Sequence, residues 1–264
     1  MTVIMVAPNG GRRSAQAHPG IPMTIAATAA TAAAAQAAGA QAIHAHLRDA
    51  EREHLLDVGA YRELIAEIGT QAPGLAVQVT TEAIGRYSPQ EQMALVRALR
   101  PEFASVALRE LAPAGDAALD FYCDCAGQGI GVQHILYDPA EVARLSALVA
   151  DGRVLAEELS VLFVVGQYPD GGEIPPLRLG EFLAALTVPH AEWMACAFGP
   201  QETRVLAAAM GLGGHARVGF ENSLHRADGT IARDNAERVA EVDAVRAALG
   251  LLPGDPAPVL GRLR

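Results

Sequence analysis

Two histidines stand two residues apart in the segment AIHAHLRD (42–49), and the apolar run that carries them stops at once in Arg48 and Asp49. On a strand, side chains at i and i+2 share one face. Paired imidazoles on one face are a common way to hold zinc, so His44 and His46 are the first metal-ligand candidates. The other reading is a pair of satisfied core histidines. A catalytic zinc takes three protein ligands and leaves a position open. Glu221, in the segment ARVGFEN (216–222), is the third candidate, and the competing reading makes it a buried partner of Arg217. His18, His54, His190, His215 and His225 show no ligand spacing, and His134, beside Gln133 on the fifth apolar run, reads as a packed histidine. Cys123 and Cys125 form a C-x-C pair in what reads as a helix C-terminus, and they read as ordinary thiols.

Composition narrows the chemistry. All 20 basic residues among the 264 are arginine. Without lysine there is no Schiff base, no pyridoxal-phosphate anchor and no Walker-type phosphate loop. Carbanion chemistry would then need another electron sink, and a metal ion is the obvious one. A formal net charge of −10 argues against a nucleic-acid or anionic-membrane partner, which calls for a basic footprint. Three cysteines give no disulfide framework and suit a reducing cytoplasm. Twin arginines in GRRSAQAHPG imitate a targeting signal, but the strand-like VIMVA precedes them and Pro19 and Pro22 interrupt the run. TIAATAATAAAAQAAGA is alanine-rich, a good helix and a poor membrane span, ended by Gly39. No targeting segment and no transmembrane helix is expected.

The elements that must position these residues repeat along the chain. Short apolar runs occur at 3–8, 42–47, 75–81, 103–108, 131–137, 159–166, 193–199 and 216–222, with helical patterns between them. Eight strand candidates alternating with helices predict βαβ units and a parallel sheet. Count and length fit a single (β/α)8 TIM barrel over 1–264; a doubly wound sheet would show a glycine-rich loop after the first strand, and APNGGRRS is not GxGxxG. In a barrel the site lies at the C-terminal strand ends. Strands two and eight both flank strand one, so Glu221 can meet the histidine pair there. Thr80, Thr81 and Glu82 close the third strand, and Ser105 and Arg109 lie on the fourth.

With these residues assembled, the chain resembles the β-keto acid cleavage enzymes typified by 3-keto-5-aminohexanoate cleavage enzyme. The matching segments are APNGGRRSAQAHPGIPMT, AGAQAIHAHLRD, TTEAIGRYSPQEQMALVRALRPEFASVALRE, GIGVQHILYDPAEV, SVLFVVGQY, WMACAFG and GGHARVGFENSLHRADGTIARDNAERV. The resemblance implies a (β/α)8 barrel, a homotetramer, and one zinc per subunit on His44, His46 and Glu221. It implies substrate contacts at Arg12, Thr80, Ala83 and Ser105. The family reaction takes a β-keto acid and acetyl-CoA to acetoacetate and a new acyl-CoA, through a metal-stabilised enolate, Claisen-type addition and retro-Claisen cleavage.

Two departures mark this chain. Where the aminohexanoate type pairs an aspartate base with the arginine of the eighth strand, Asn222 stands with Arg217, and an amide accepts no proton. Glu82, absent from that type, is the substitute base candidate; its alternative is to brace a loop arginine. Arg12 replaces an acidic residue suited to an ammonium tail, which predicts a substrate with a neutral or anionic tail. Arg86 and Arg109 are the candidates for the coenzyme A phosphates, and the charge-free helix near residues 24–40 is expected at a subunit interface. The alternatives to the transferase are a barrel-type metal-dependent hydrolase and a non-catalytic metal- or CoA-binding relative, the latter supported by Asn222.

Overall fold

A computed structural model describes residues 1–157, 159–166 and 175–262. Gln167 and Tyr168 of the SVLFVVGQY segment, and the last two residues of the chain, lie outside these. Eight parallel strands close into a barrel: β1 (Ile4–Val6), β2 (Ala42–Ala45), β3 (Ala76–Thr80), β4 (Phe103–Ala107), β5 (Gly131–Leu136), β6 (Ser160–Val165), β7 (Glu192–Ala197) and β8 (His215–Val218). Each strand pairs with its chain neighbours, and β1 pairs with both β2 and β8. The eight runs read from the sequence are these strands.

Eight helices alternate with them: α1 (Ile25–Ala37), α2 (Val58–Gln71), α3 (Pro89–Leu99), α4 (Asp116–Gly127), α5 (Pro139–Ala150), α6 (Arg178–Ala185), α7 (Glu202–Gly211) and α8 (Asn235–Ala248). Their starts are chemically explicit. Thr24, Asp57, Asp138 and Asp234 each accept a hydrogen bond from a first-turn N–H, and Ser88 with Glu91 forms a full capping box ahead of Pro89. C-x-C lies on α4, with Cys123 exposed and Cys125 buried.

Two apolar cores follow from strand alternation. Outward strand residues such as Ile43, Val79, Val106 and Phe163 pack on the helices. Inward residues Met5, Phe103, Leu162 and Met194 fill the barrel, and Val259 and Leu260 belong to the same interior cluster. These last two follow a short C-terminal helical turn, Pro256–Val259.

Several details differ from the sequence reading. Arg109 lies in a short helix, Leu108–Leu111, rather than on β4, and β3 ends at Thr80, which leaves Thr81 and Glu82 just beyond it. β2 ends at Ala45, so His46 lies just beyond it, and the chain continues into a small hairpin pairing Leu47–Arg48 with His54–Leu55. β8 ends at Val218, so Glu221 and Asn222 sit in a turn rather than on the strand. Gly219 causes the break. Its φ is +144°, and a Cβ there would stand 2.4 Å from the carbonyl oxygen of Ala7. The close approach lets Glu221 N donate to Ala7 O at 3.0 Å.

Gly219→Ala is therefore expected to cost about 2–4 kcal/mol of stability, since it combines a disfavoured backbone with a steric overlap against main chain. Denaturant unfolding of the two proteins checks this; equal midpoints would contradict it.

Candidate metal centre and active site

His44 Nε2, His46 Nε2 and a Glu221 carboxylate oxygen converge at the barrel mouth. The nitrogens are 3.0 Å apart, and Glu221 Oε2 lies 3.7 and 3.6 Å from them. All three residues are buried, and their ligand atoms lie within 4.8 Å of one another. Two nitrogens bound tetrahedrally to zinc at about 2.0–2.1 Å would stand roughly 3.4 Å apart, so a small shift seats an ion. Burial, reinforced for His46 by the neighbouring charges of His44 and His54, pushes both imidazoles down, His44 to about 4 and His46 well below the ordinary histidine value. Both are then neutral at physiological pH, the form that ligates.

A chain of hydrogen bonds across the barrel interior fixes which nitrogen of His44 is bare. The Val259 carbonyl can only accept, and it takes bonds from Gln133 Nε2 at 3.3 Å and Ser160 Oγ at 2.5 Å. Gln133 must therefore present its oxygen to Gln78 Nε2, 3.2 Å away. Gln78 in turn presents Oε1 to His44 Nδ1 at 2.9 Å. His44 carries its proton on Nδ1, and the Nε2 lone pair faces the site. Such outer partners hold a ligand's tautomer and ring orientation. Strand register supplies the contact, because Gln78 is the partner of His44 across β2 and β3.

Three loop exits are clipped together in a similar way. Asn9 Nδ2 donates to the carbonyls of His46 at 3.0 Å and Pro22 at 3.1 Å. Asn235 donates to Pro8 O at 3.1 Å and accepts from Phe220 N at 2.9 Å. Glu202, paired with buried Arg238 at 2.7 Å, accepts from Gly219 N. The loop after β1 is thus tied to His46 on one side and to the Glu221 turn on the other. Gly10 makes this possible, since a Cβ there would come within 2.6 Å of Glu221 Cγ.

Above the ligands lies a cavity of about 370 Å3 whose lining includes His44, His46, Thr80, Glu82, Arg217 and Glu221, with Arg12, Arg109 and Glu110 also contributing. Arg217 is 3% exposed. Its Nη2 donates to Glu221 Oε1 at 3.2 Å and Cys196 Sγ at 3.3 Å, while Nε and Nη1 have no hydrogen-bond partner. Burial works against its charge, but Cys196, Glu221 and Tyr137 hold its pKa above the usual arginine value. Glu82 Oε2 lies 3.8 Å from His46 Nδ1, and Glu82 Oε1 lies 3.9 Å from Arg12 Nε. Burial, then the charges of Glu221 and Glu110, push the Glu82 carboxyl up to about 7.

The other sequence candidates fall less centrally. Ser105 is buried beside Thr80, its register partner. Ala83 donates its N–H to Glu110 at 3.0 Å. Neither is among the residues lining the cavity, and nor is Asn222. Asn222 is fully buried with both amide atoms unpartnered, and Arg217 pairs with Glu221 and Cys196 instead. Arg86 and Arg109 are held by acidic and carbonyl groups: Arg86 by His54 O and Asp49, Arg109 by Glu141 and Asp138 over the Tyr137 ring. His54, passed over for want of spacing, packs its ring 5.1 Å from His46 and contacts Glu82 O at 2.9 Å.

Comparisons with known proteins bear on the family and the fold. The family model for beta-keto acid cleavage enzyme matches residues 1–263. A 3-oxoadipate:acetyl-CoA acetyltransferase of Cupriavidus necator is 24% identical over 253 residues, covering 92% of this chain and 87% of that protein. A 3-keto-5-aminohexanoate cleavage enzyme of Fusobacterium nucleatum is 23% identical, covering 94% of this chain and 92% of that protein. Among solved structures, the binary complex of ObcA with oxaloacetate superposes with a TM-score of 0.72 at 18% identity over 89% of this chain, which spans 65% of that one. A type I 3-dehydroquinate dehydratase of Clostridium difficile reaches 0.60 at 11% identity, covering 94% of this chain and 93% of that one. These likenesses show the barrel fold.

Gln78→Leu removes the acceptor for His44 Nδ1–H and should weaken zinc binding about 10–100-fold, read by competition with a chromophoric chelator. His46→Ala should abolish stoichiometric binding, and a retained full complement of zinc in that variant would refute the ligand set.

Proposed function

Because the chain belongs to the β-keto acid cleavage enzyme family, we propose that it converts a β-keto acid and acetyl-CoA to acetoacetate and a new acyl-CoA, with zinc held by His44, His46 and Glu221. The observation that carries this reading is the convergence of those three ligands beside a buried, cavity-lining guanidinium. A zinc ion there would supply a Lewis acid for the keto and carboxylate oxygens and for the charge of an enolate.

The chain's own residues supply the rest. Glu82 and Glu110 line the cavity without being ligands, and of the two it is Glu82 that lies against His46. Glu82 is the base in this reading. It takes the proton from C2 of the keto acid, a role Asn222 cannot fill. The resulting carbon nucleophile attacks the acetyl carbonyl of acetyl-CoA. Arg217, with two unpartnered N–H groups, donates to the oxygen on which charge develops. The coenzyme A thiolate leaves the acetyl carbon as its carbonyl re-forms and adds to the original keto carbon; retro-Claisen cleavage between that carbon and C2 gives the new acyl-CoA, and the C2 carbanion regains the proton from Glu82 and leaves as acetoacetate. Thr80 borders this path, with Ser105 its register partner on β4 and Ala83 bonded through its N–H to Glu110.

Arg12 and Arg109 both line the cavity, which favours a neutral or anionic substrate tail. The relative named for 3-oxoadipate, a dicarboxylate, points the same way. We also take the chain to be a cytoplasmic homotetramer. No described helix is long and apolar enough to cross a membrane, and the exposed face of α1 carries Ala26, Ala30 and Ala34, small residues that permit close helix contact.

Acetoacetate should form from acetyl-CoA and a panel of β-keto acids, vanish with chelator, and favour 3-oxoadipate over 3-keto-5-aminohexanoate. Hydrolysis without acetyl-CoA would point to a hydrolase instead, and preference for the amino substrate would remove the role given to Arg12. Glu82→Gln should lower kcat by about 10²-fold or more with zinc retained; unchanged kcat would clear Glu82 of base duty. Sizing at micromolar concentration should show an oligomer.

A further inference from the structure

We propose that a second groove, beside the metal cavity, seats the coenzyme A arm of the thioester co-substrate; this placement rests on the reading of the chain as an acetyl-CoA-dependent enzyme. The metal cavity, at about 370 Å3, is near the small end of ligand sites, about 300–1,000 Å3. It has room for a keto acid and an acetyl group, and the rest of the co-substrate must leave it along the surface.

The groove of about 850 Å3 shares Gly11 and Arg12 with the metal cavity, so the two adjoin at the loop after β1. A narrow cleft beneath touches both His46 and the groove residues Met23, Thr24 and Arg48. The groove lies between the start of α1 and the hairpin Leu47–Leu55.

Its chemistry suits a chain that is apolar in the middle and anionic at the far end. Ile21, Met23, Ala27 and Ile84 give it an apolar side, matching the dimethyl-bearing pantetheine arm. Arg12, Arg48 and Arg52 bring three guanidinium groups to one groove in a protein whose net charge is −10. Arg48 is anchored by its bonds to the carbonyls of Gly10, Arg13 and Arg52. Arg52 sits at the hairpin turn with φ +70°, exposed, and bonds Met23 O at 3.3 Å. Glu51 and Glu53 belong to the same groove, so the phosphates fall on its arginine side. Arg86 and Arg109, the earlier candidates for those phosphates, are engaged elsewhere and are not among the residues lining the groove.

The test compares Arg52→Glu and Ala27→Trp with the parent, each zinc-loaded and checked for zinc stoichiometry and circular dichroism. Both variants should raise the KM for acetyl-CoA at least tenfold and leave the keto-acid KM unchanged. With S-acetylpantetheine, which lacks the nucleotide, Arg52→Glu should match the parent, whereas Ala27→Trp should still be impaired. Parent turnover with acetyl-CoA KM values unchanged in both variants overturns the groove alone. A change in oligomeric state of Ala27→Trp with unchanged KM assigns the groove to a subunit contact and likewise overturns it. A parent that neither turns over acetyl-CoA nor binds coenzyme A by calorimetry overturns the functional reading as well.

Discussion

A single main-chain carbonyl, that of Val259, sets the polarity of the barrel interior. A carbonyl oxygen cannot donate, so Gln133 and Gln78 have one consistent orientation each, and the sequence of bonds ends in a bare Nε2 on His44. Without that direction, two imidazole nitrogens 3.0 Å apart could share a proton and close the site against a cation. An apolar cluster that includes Met5, Phe103, Leu162 and Met194 occupies the barrel beside these bonds and shields them from bulk water. Stability and metal readiness therefore come from the same buried polar chain.

The electrostatics of the mouth follow from this arrangement. Burial strips the histidines of charge, and the nearby positive charge is Arg217, itself held by Glu221 and Cys196. Glu82 stands between Arg12 and His46 in a setting that raises its affinity for a proton. A carboxylate so placed can exchange a proton with a carbon acid while Glu221 remains committed to its arginine. The two glutamates have different partners and hence different work.

Much of this was legible in the sequence, and the reasons are specific. The period of apolar runs encodes the eight strands directly, and H-x-H at a strand end marks the mouth. Glu221 followed from barrel closure, which makes β2 and β8 neighbours of β1. Gln78, Asn9, Asn235 and His54 were not legible, because each matters only through partners 8 to 227 positions away. The hairpin after His46 was hidden because two-residue strands leave no pattern to read. Asn222 stands where the aminohexanoate type has its aspartate base, yet the turn that Gly219 initiates presents Glu221 to the cavity and leaves the Asn222 amide buried beside it. Sequence order does not reveal which way a turn faces.

The order in which the parts are made has its own consequence. Two ligands come from residues 44 and 46, the third from residue 221, and the carbonyl that orients His44 from residue 259. During translation the histidine pair emerges long before its carboxylate partner, and the orienting carbonyl arrives last of all. Until residue 221 is made the chain holds only two members of the three-residue cluster, and the direction of the bonds that orient His44 waits for residue 259.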